Sequence, residues 1–295
     1  MKQILFQGMA TALITPMTPE GIDYDALEQL IEFQIESGIN ALVVLGTTGE
    51  NATIELEDQQ RVIRFTVEQV AHRIPVIAGT GTNCTAHVLE QTKMACDAGV
   101  DGVLVVTPYY NKATQKGLIT HFTTIADAST VPVIVYNVPG RTGCNLLPET
   151  AAKLAEHPNI VGIKDAAGNM AQTVQLRALC ADNLAIYSGE DALTVPMMAM
   201  GGAGAISVLS NVVPKEAVAM SDACLAGDFK TAARLQCQLL PLIDALFSEV
   251  NPIPVKAAVS AMGFGQEYLR LPLTSLEDHN RENLYKEMRK LGINV

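Results

Sequence analysis

Eight short apolar runs, at positions 9–14, 41–45, 75–78, 102–106, 132–136, 160–164, 185–187 and 203–208, alternate with stretches of helical periodicity. Several runs are bounded by Gly or Pro, as strands between turns are. The helical stretches read 25–36, 55–70, 85–98, 117–128, 148–156, 171–180, 191–200 and 214–225. In the first of them Leu27, Leu30, Ile31 and Ile35 share one face, and Gly38 follows as a stop. Strands separated by a helix pair in parallel, because a parallel neighbour needs a crossover. Eight such units favour a closed α/β architecture, the (β/α)8 TIM barrel, over an open doubly wound sheet. Residues 1–227 are therefore read as the barrel. Residues 228–295 carry no strand signal and are read as a C-terminal helical region, with helices at 229–247, 252–262 and 281–291. Pro254 falls in the tolerated first turn of the second of these, and Gly292 ends the third.

With 295 residues, 48% of them apolar, the chain can bury a large core. Its net charge of −11 argues against nucleic acid or an anionic membrane as partner. An anionic substrate would have to be drawn in locally, by a placed arginine or by backbone N–H groups. The six cysteines (84, 96, 144, 180, 224 and 237) form no C-x-x-C and read as reduced thiols of a cytoplasmic protein. The opening MKQILFQGMATALITP has one lysine and a broken apolar run, unlike a secretory signal, and no later stretch reads as a membrane span.

In such barrels the chemistry sits where the strands end. The sixth run, Ile160-Val161-Gly162-Ile163-Lys164-Asp165, closes on a lysine. Simple pleating sends Ile160, Gly162 and Lys164 one way and Val161, Ile163 and Asp165 the other. Both faces of a parallel strand are covered, so the ammonium leaves water; burial lowers its pKa and makes it a nucleophile. The bland alternative is a lysine that snorkels or pairs with a carboxylate such as Asp165.

The other strand ends carry candidates of mixed strength. Gly46-Thr47-Thr48-Gly49-Glu50 is either an anion-binding turn or an ordinary βα turn with a capping threonine. In Thr107-Pro108-Tyr109-Tyr110-Asn111, the paired tyrosines serve packing, an interface, or a site. Tyr136, at the end of the fifth run, stands at the height of Lys164, within possible hydrogen-bond reach, where a phenol can move protons. Arg141 follows it and is placed to fork a carboxylate, although a lone arginine is more often a surface ion pair. Ser188-Gly189-Glu190-Asp191 and Gly201-Gly202-Ala203-Gly204-Ala205-Ile206-Ser207 admit either a ligand or a tight barrel seam. The five histidines show no metal-like spacing, and neither a Walker loop, a G-x-S-x-G nor a convincing dinucleotide fingerprint is present. Lysine, tyrosines, threonines and arginine without metal or nucleotide suit a carbonyl substrate captured as a Schiff base.

The motifs GTTGE (46–50), TPYYN (107–111), YNVPGRT (136–142), GIKDAAG (162–168) and NPIPVK (251–256) give the chain, over nearly its whole length, a resemblance to the pyruvate-dependent class I lyase/synthase family, the N-acetylneuraminate lyase-like enzymes. The first, third and last resemble its synthase branch, which condenses pyruvate with L-aspartate-4-semialdehyde in lysine and diaminopimelate biosynthesis. The resemblance implies Lys164 as the Schiff-base lysine, with no cofactor and no metal. It implies Thr48 and its turn as holders of the pyruvate carboxylate. Tyr136, Thr47 and Tyr110 would form a proton relay, Tyr110 reaching across from a second subunit. Arg141 would bind the aldehyde's carboxylate, and Gly189 and Ile206 would line the pocket. It further implies a homo-oligomer, a tetramer built as a dimer of dimers. Gly140 departs from a serine frequent in the family at that point.

Lysine-inhibited members bind lysine near positions matching Asn51, Asn83, Tyr109 and His87. An acidic residue is common at the His87 position, and histidines at those of Leu56 and Gln59, so weak or absent lysine feedback is expected here. Two other readings stand beside the synthase: a sister aldolase acting on a keto-deoxy sugar acid, and a non-catalytic keto-acid-binding homologue.

Overall fold

Eight parallel strands close on themselves: β1 (Gly8–Ala12), β2 (Ala41–Val44), β3 (Val76–Gly79), β4 (Gly102–Val106), β5 (Val133–Asn137), β6 (Ile160–Asp165), β7 (Ala185–Ser188) and β8 (Gly204–Ser207). The computed structural model describes residue 2 and residues 4–295. Each strand pairs with the next, and β1 meets β8 with Ala10 opposite Ile206, which completes the barrel. The expected (β/α)8 architecture is the one observed.

The helices α1 (Tyr24–Glu36), α2 (Leu56–Val70), α3 (Thr85–Asp97), α4 (Gln115–Ala128), α5 (Pro148–Leu154), α6 (Met170–Cys180), α7 (Thr194–Ala199) and α8 (Pro214–Leu225) follow the strands in turn. Side-chain caps set several of their starts. Asp23 accepts from the Ala26 N–H, Thr114 from Gly117 and Asn169 from Gln172. Then come α9 (Phe229–Leu246), capped by Asp228, α10 (Ile253–Ala261) and α11 (Asp278–Lys290).

Some boundaries differ from the sequence reading. Position 191 opens a 3-10 turn, Asp191–Leu193, and α7 begins only at Thr194. The Asp191 carboxylate is committed elsewhere, accepting the N–H groups of Val208 and Leu209 at the end of β8. Arg141 lies not in a loop but in a single helical turn, Pro139–Thr142, begun by proline at its first position. A two-stranded ribbon, Met17–Thr18 with Gly21–Ile22, had no signal because each strand is two residues long.

Simple pleating also fails at the start of β6. The register shifts there: Val133 opposes Ile160, but Ile134 opposes Gly162. The extra residue turns Ile160 into the layer between strands and helices and Val161 into the barrel interior. Beyond this bulge the alternation holds. Gly162 faces inward, where a Cβ would stand 3.0 Å from the ring of Tyr187. Tyr187 fills the barrel there, stacked on Phe6 and donating its hydroxyl to the Phe6 carbonyl at 2.9 Å. Asp165 faces outward, accepting Asn137 Nδ2 (3.1 Å) and the Thr173 hydroxyl (3.3 Å) on α6.

Candidate active site

Lys164 points into the barrel near the C-terminal end of β6, paired in register with Tyr136 on β5. Only 6% of the residue remains accessible. Its Nζ lies 4.4 Å from the centroid of the Tyr136 ring. The lysine therefore meets the face of the phenol and not, as the sequence suggested, its hydroxyl. The alternative pairing with Asp165 is excluded by geometry, since Asp165 is bonded on the opposite face. Among the described residues no carboxylate forms an ion pair with Lys164.

Desolvation is the largest influence on this amine, and it lowers the pKa to about 8. Asp191 and Glu190 oppose the fall, and Arg141 adds to it. Burial pushes the Tyr136 phenol up to about 12, with Arg141 and the Thr47 side chain pulling the other way. The phenol is thus protonated at neutral pH. Asp191, buried just after β7 and one of the charges acting on Lys164, has Oδ1 unpaired and a pKa raised by desolvation. Sequence reasoning missed it as a neighbour of Lys164.

Gly189, directly after β7, supports the lysine through its lack of a side chain. A Cβ there would stand 2.9 Å from Lys164 Cε and 3.0 Å from Cγ, so any larger residue would displace the amine's stem. Ile206 on β8 packs into the same interior cluster as Tyr136 and Tyr187.

A cavity of about 540 Å³ opens beside these residues, with Thr47, Tyr136, Arg141 and Asn251 in its wall. Lys164 does not itself line the cavity; its neighbour Tyr136 does. Thr48 is buried and receives a hydrogen bond from Asn251 Nδ2 at 3.0 Å. The turn after β2 closes with Gly49 N–H donating to Gly46 and Glu50 N–H donating to Thr47. Among the described residues the N–H groups of Thr47 and Thr48 donate to no protein acceptor, and free backbone donors at a strand-end turn suit an anion. Arg141 Nη2 donates to the Asn251 carbonyl at 3.1 Å. Toward the rim the cavity is walled by Asn51, Asn83, His87 and Tyr109.

Tyr110 is not brought to this cluster within one chain. It is 89% exposed, on a backbone with φ +72°, a strained value for a tyrosine. Two residues inside the quoted motifs received no role from the sequence. Glu50, which ends the turn, forms an ion pair with Lys256 on α10, and both side chains are almost wholly buried. The available signal was a lone lysine in the apolar run Ile253-Pro254-Val255-Lys256-Ala257-Ala258. Among the described residues no group of three or more His, Cys, Asp or Glu is arranged to hold a metal, and no helix is long and apolar enough to cross a membrane.

A barrel whose C-terminal mouth holds a desolvated, unpaired amine beside a phenol and anion-binding donors defines a class of protein equipped for Schiff-base chemistry. Comparison with known proteins agrees. The model of the dihydrodipicolinate synthetase family matches residues 5–291. A 4-hydroxy-tetrahydrodipicolinate synthase of Alkaliphilus oremlandii (strain OhILAs) is 52% identical over 289 residues, covering 98% of this chain and all of that one. The crystal structure of dihydrodipicolinate synthase from Aquifex aeolicus superposes with a TM-score of 0.97 at 43% identity, over 98% of this chain and 99% of that one. A chloride-inhibited dihydrodipicolinate synthase from Acinetobacter baumannii, solved complexed with pyruvate, matches with a TM-score of 0.96 at 44% identity, over 97% and 99% of the two chains. The chain belongs to the dihydrodipicolinate synthetase family.

Proposed function

We propose that this chain condenses pyruvate with L-aspartate-4-semialdehyde to 4-hydroxy-tetrahydrodipicolinate. The observation that carries the reading is the Lys164 amine: buried, without an acidic partner, lowered to about pH 8 and seated against Tyr136. Lys164 attacks the keto carbon of pyruvate, and loss of water gives an iminium. The methyl group then loses a proton, and its electrons move into the iminium to form an enamine. The enamine carbon attacks the aldehyde. The amine of the bound product finally replaces Lys164 at the imine carbon, closing the ring and freeing the enzyme. The chain needs no cofactor for this sequence, because the iminium formed on Lys164 is the electron sink.

The remaining residues take roles from their positions. Thr48 and the free N–H groups of its turn hold the pyruvate carboxylate. Tyr136, protonated at neutral pH, donates and retrieves protons through Thr47. Arg141, at the cavity wall, takes the carboxylate of the aldehyde. Gly189 and Ile206 shape the interior around the adduct. Tyr110, exposed on a strained backbone, completes the relay in a second copy of the chain, which requires at least a dimer; the family resemblance extends this to a tetramer of two dimers. The pyruvate complex of the Acinetobacter baumannii relative supports the choice of keto acid. The test is turnover of pyruvate with aspartate semialdehyde against a panel of keto-deoxy sugar acids. Turnover confined to the first pair is expected, and cleavage of a sugar acid in its place would overturn the assignment.

A further inference from the structure

Asn251 stands between the two carboxylate sites assigned above. It lies just before α10, it is buried, and it contributes to the cavity wall. Its side-chain Nδ2 donates to Thr48 Oγ1, while its main-chain carbonyl accepts from Arg141 Nη2. One residue thus touches both anion binders through chemically separate atoms.

The direction of the first bond has a consequence for Thr48. A hydroxyl has one proton to give and two positions at which to accept. The Asn251 amide fills an accepting position, and among the described residues Thr48 Oγ1 donates to no protein acceptor. Its proton is therefore left for an occupant of the cavity. We propose that Asn251 is a positioning residue for pyruvate capture. Its amide sets the Thr48 hydroxyl as a donor toward the keto acid's carboxylate, while Arg141 depends on Asn251 through the main chain alone. This rests on the roles given to Thr48 and Arg141 above. An amide turned end for end would place Asn251 Oδ1, which is buried and unpaired, against Thr48 and consume that proton. The two arrangements predict opposite kinetics.

The test is steady-state kinetics of Asn251→Ala, Thr48→Val and the double variant, with each substrate varied in turn. Losing one oriented hydrogen bond to a charged group raises the pyruvate KM of Asn251→Ala about tenfold. Its aspartate semialdehyde KM stays within about twofold, since alanine keeps the main-chain carbonyl that receives Arg141. In the double variant the pyruvate KM equals that of Thr48→Val alone, the signature of one residue acting through another. Asn251→Asp keeps the shape without the donor and shows at least the same pyruvate defect, which covers an unstable alanine variant. An unchanged or lowered pyruvate KM, an equal rise in both KM values, or additive effects in the double variant would each overturn the proposal. Borohydride trapping at saturating pyruvate is run on every protein: absence of an adduct on the wild type marks failure of the functional reading, not of this one.

Discussion

Lys164 Nζ sits over the ring of Tyr136, 4.4 Å from its centroid, and the two residues oppose each other across β5 and β6. The contact places the amine over a ring face, whose attraction for a cation is far weaker than a carboxylate's. A directly paired carboxylate would hold the proton on nitrogen; without one, desolvation outweighs the more distant Asp191 and Glu190 and lowers the pKa.

This predicts the pH dependence of pyruvate capture. Lys164 attacks as the neutral amine, and desolvation lowers its pKa from 10.5 to about 8. At pH 7 this raises the neutral fraction about 300-fold over an unperturbed lysine. The rate of adduct formation should climb with pH through about 8 and then level off. Stopped trapping across pH 6–10 measures it, and a rate still climbing tenfold per unit above pH 9 would contradict the lowered pKa.

Arg141 separates the two half-reactions. Arg141→Ala should raise the aspartate semialdehyde KM by at least about thirtyfold, the loss of a charge-assisted fork. The pyruvate adduct should still form. Because Arg141 also lowers the Lys164 pKa, the pH profile of adduct formation should move upward in the variant. Equal damage to both steps would remove the role given to this residue.

At the end of the turn after β2, Glu50 pairs with Lys256 with almost no access to solvent. Lys256→Met leaves a buried carboxylate without a partner and should cost about 3–5 kcal/mol. That lowers the thermal midpoint by on the order of 10 °C in a chain of this size. Adding Glu50→Gln should recover part of the loss, because the unpaired charge is gone. Differential scanning calorimetry of wild type and both variants reads the sign, and a Lys256→Met protein as stable as wild type would show that the pair is dispensable.

Lysine should be a poor inhibitor. His87 stands exposed at the cavity rim with Asn51, Asn83 and Tyr109, where an acidic group would be needed to meet the amine of lysine. Gln59 is already engaged, donating to the carbonyls of Asn51 and Ile54, and Leu56 offers no polar contact. An inhibition curve should stay flat through the micromolar range. Half-inhibition by micromolar lysine would refute this.

The barrel is legible in the sequence because its signals are local. Each apolar run and its following amphipathic helix lie within one unit, and caps such as Asp23 and Thr114 mark starts directly. The lysine and Tyr136 are legible together because strand ends in neighbouring units share a height. The bulge between Ile160 and Gly162 is not, since Ile-Val-Gly-Ile reads the same with or without an inserted residue. Nor is the Glu50–Lys256 pair, whose members are 206 positions apart and meet only when α10 folds back onto the turn after β2. Asn251 and Asp191 were hidden for the same reason: their neighbours belong to distant segments.

Borohydride reduction in the presence of pyruvate, followed by peptide mass mapping, tests the Schiff base most directly. A stable adduct on the peptide containing Lys164, absent from a folded Lys164→Ala variant, is the predicted result. A wild-type protein that stays unlabelled at saturating pyruvate, or one labelled on another lysine, would contradict the account.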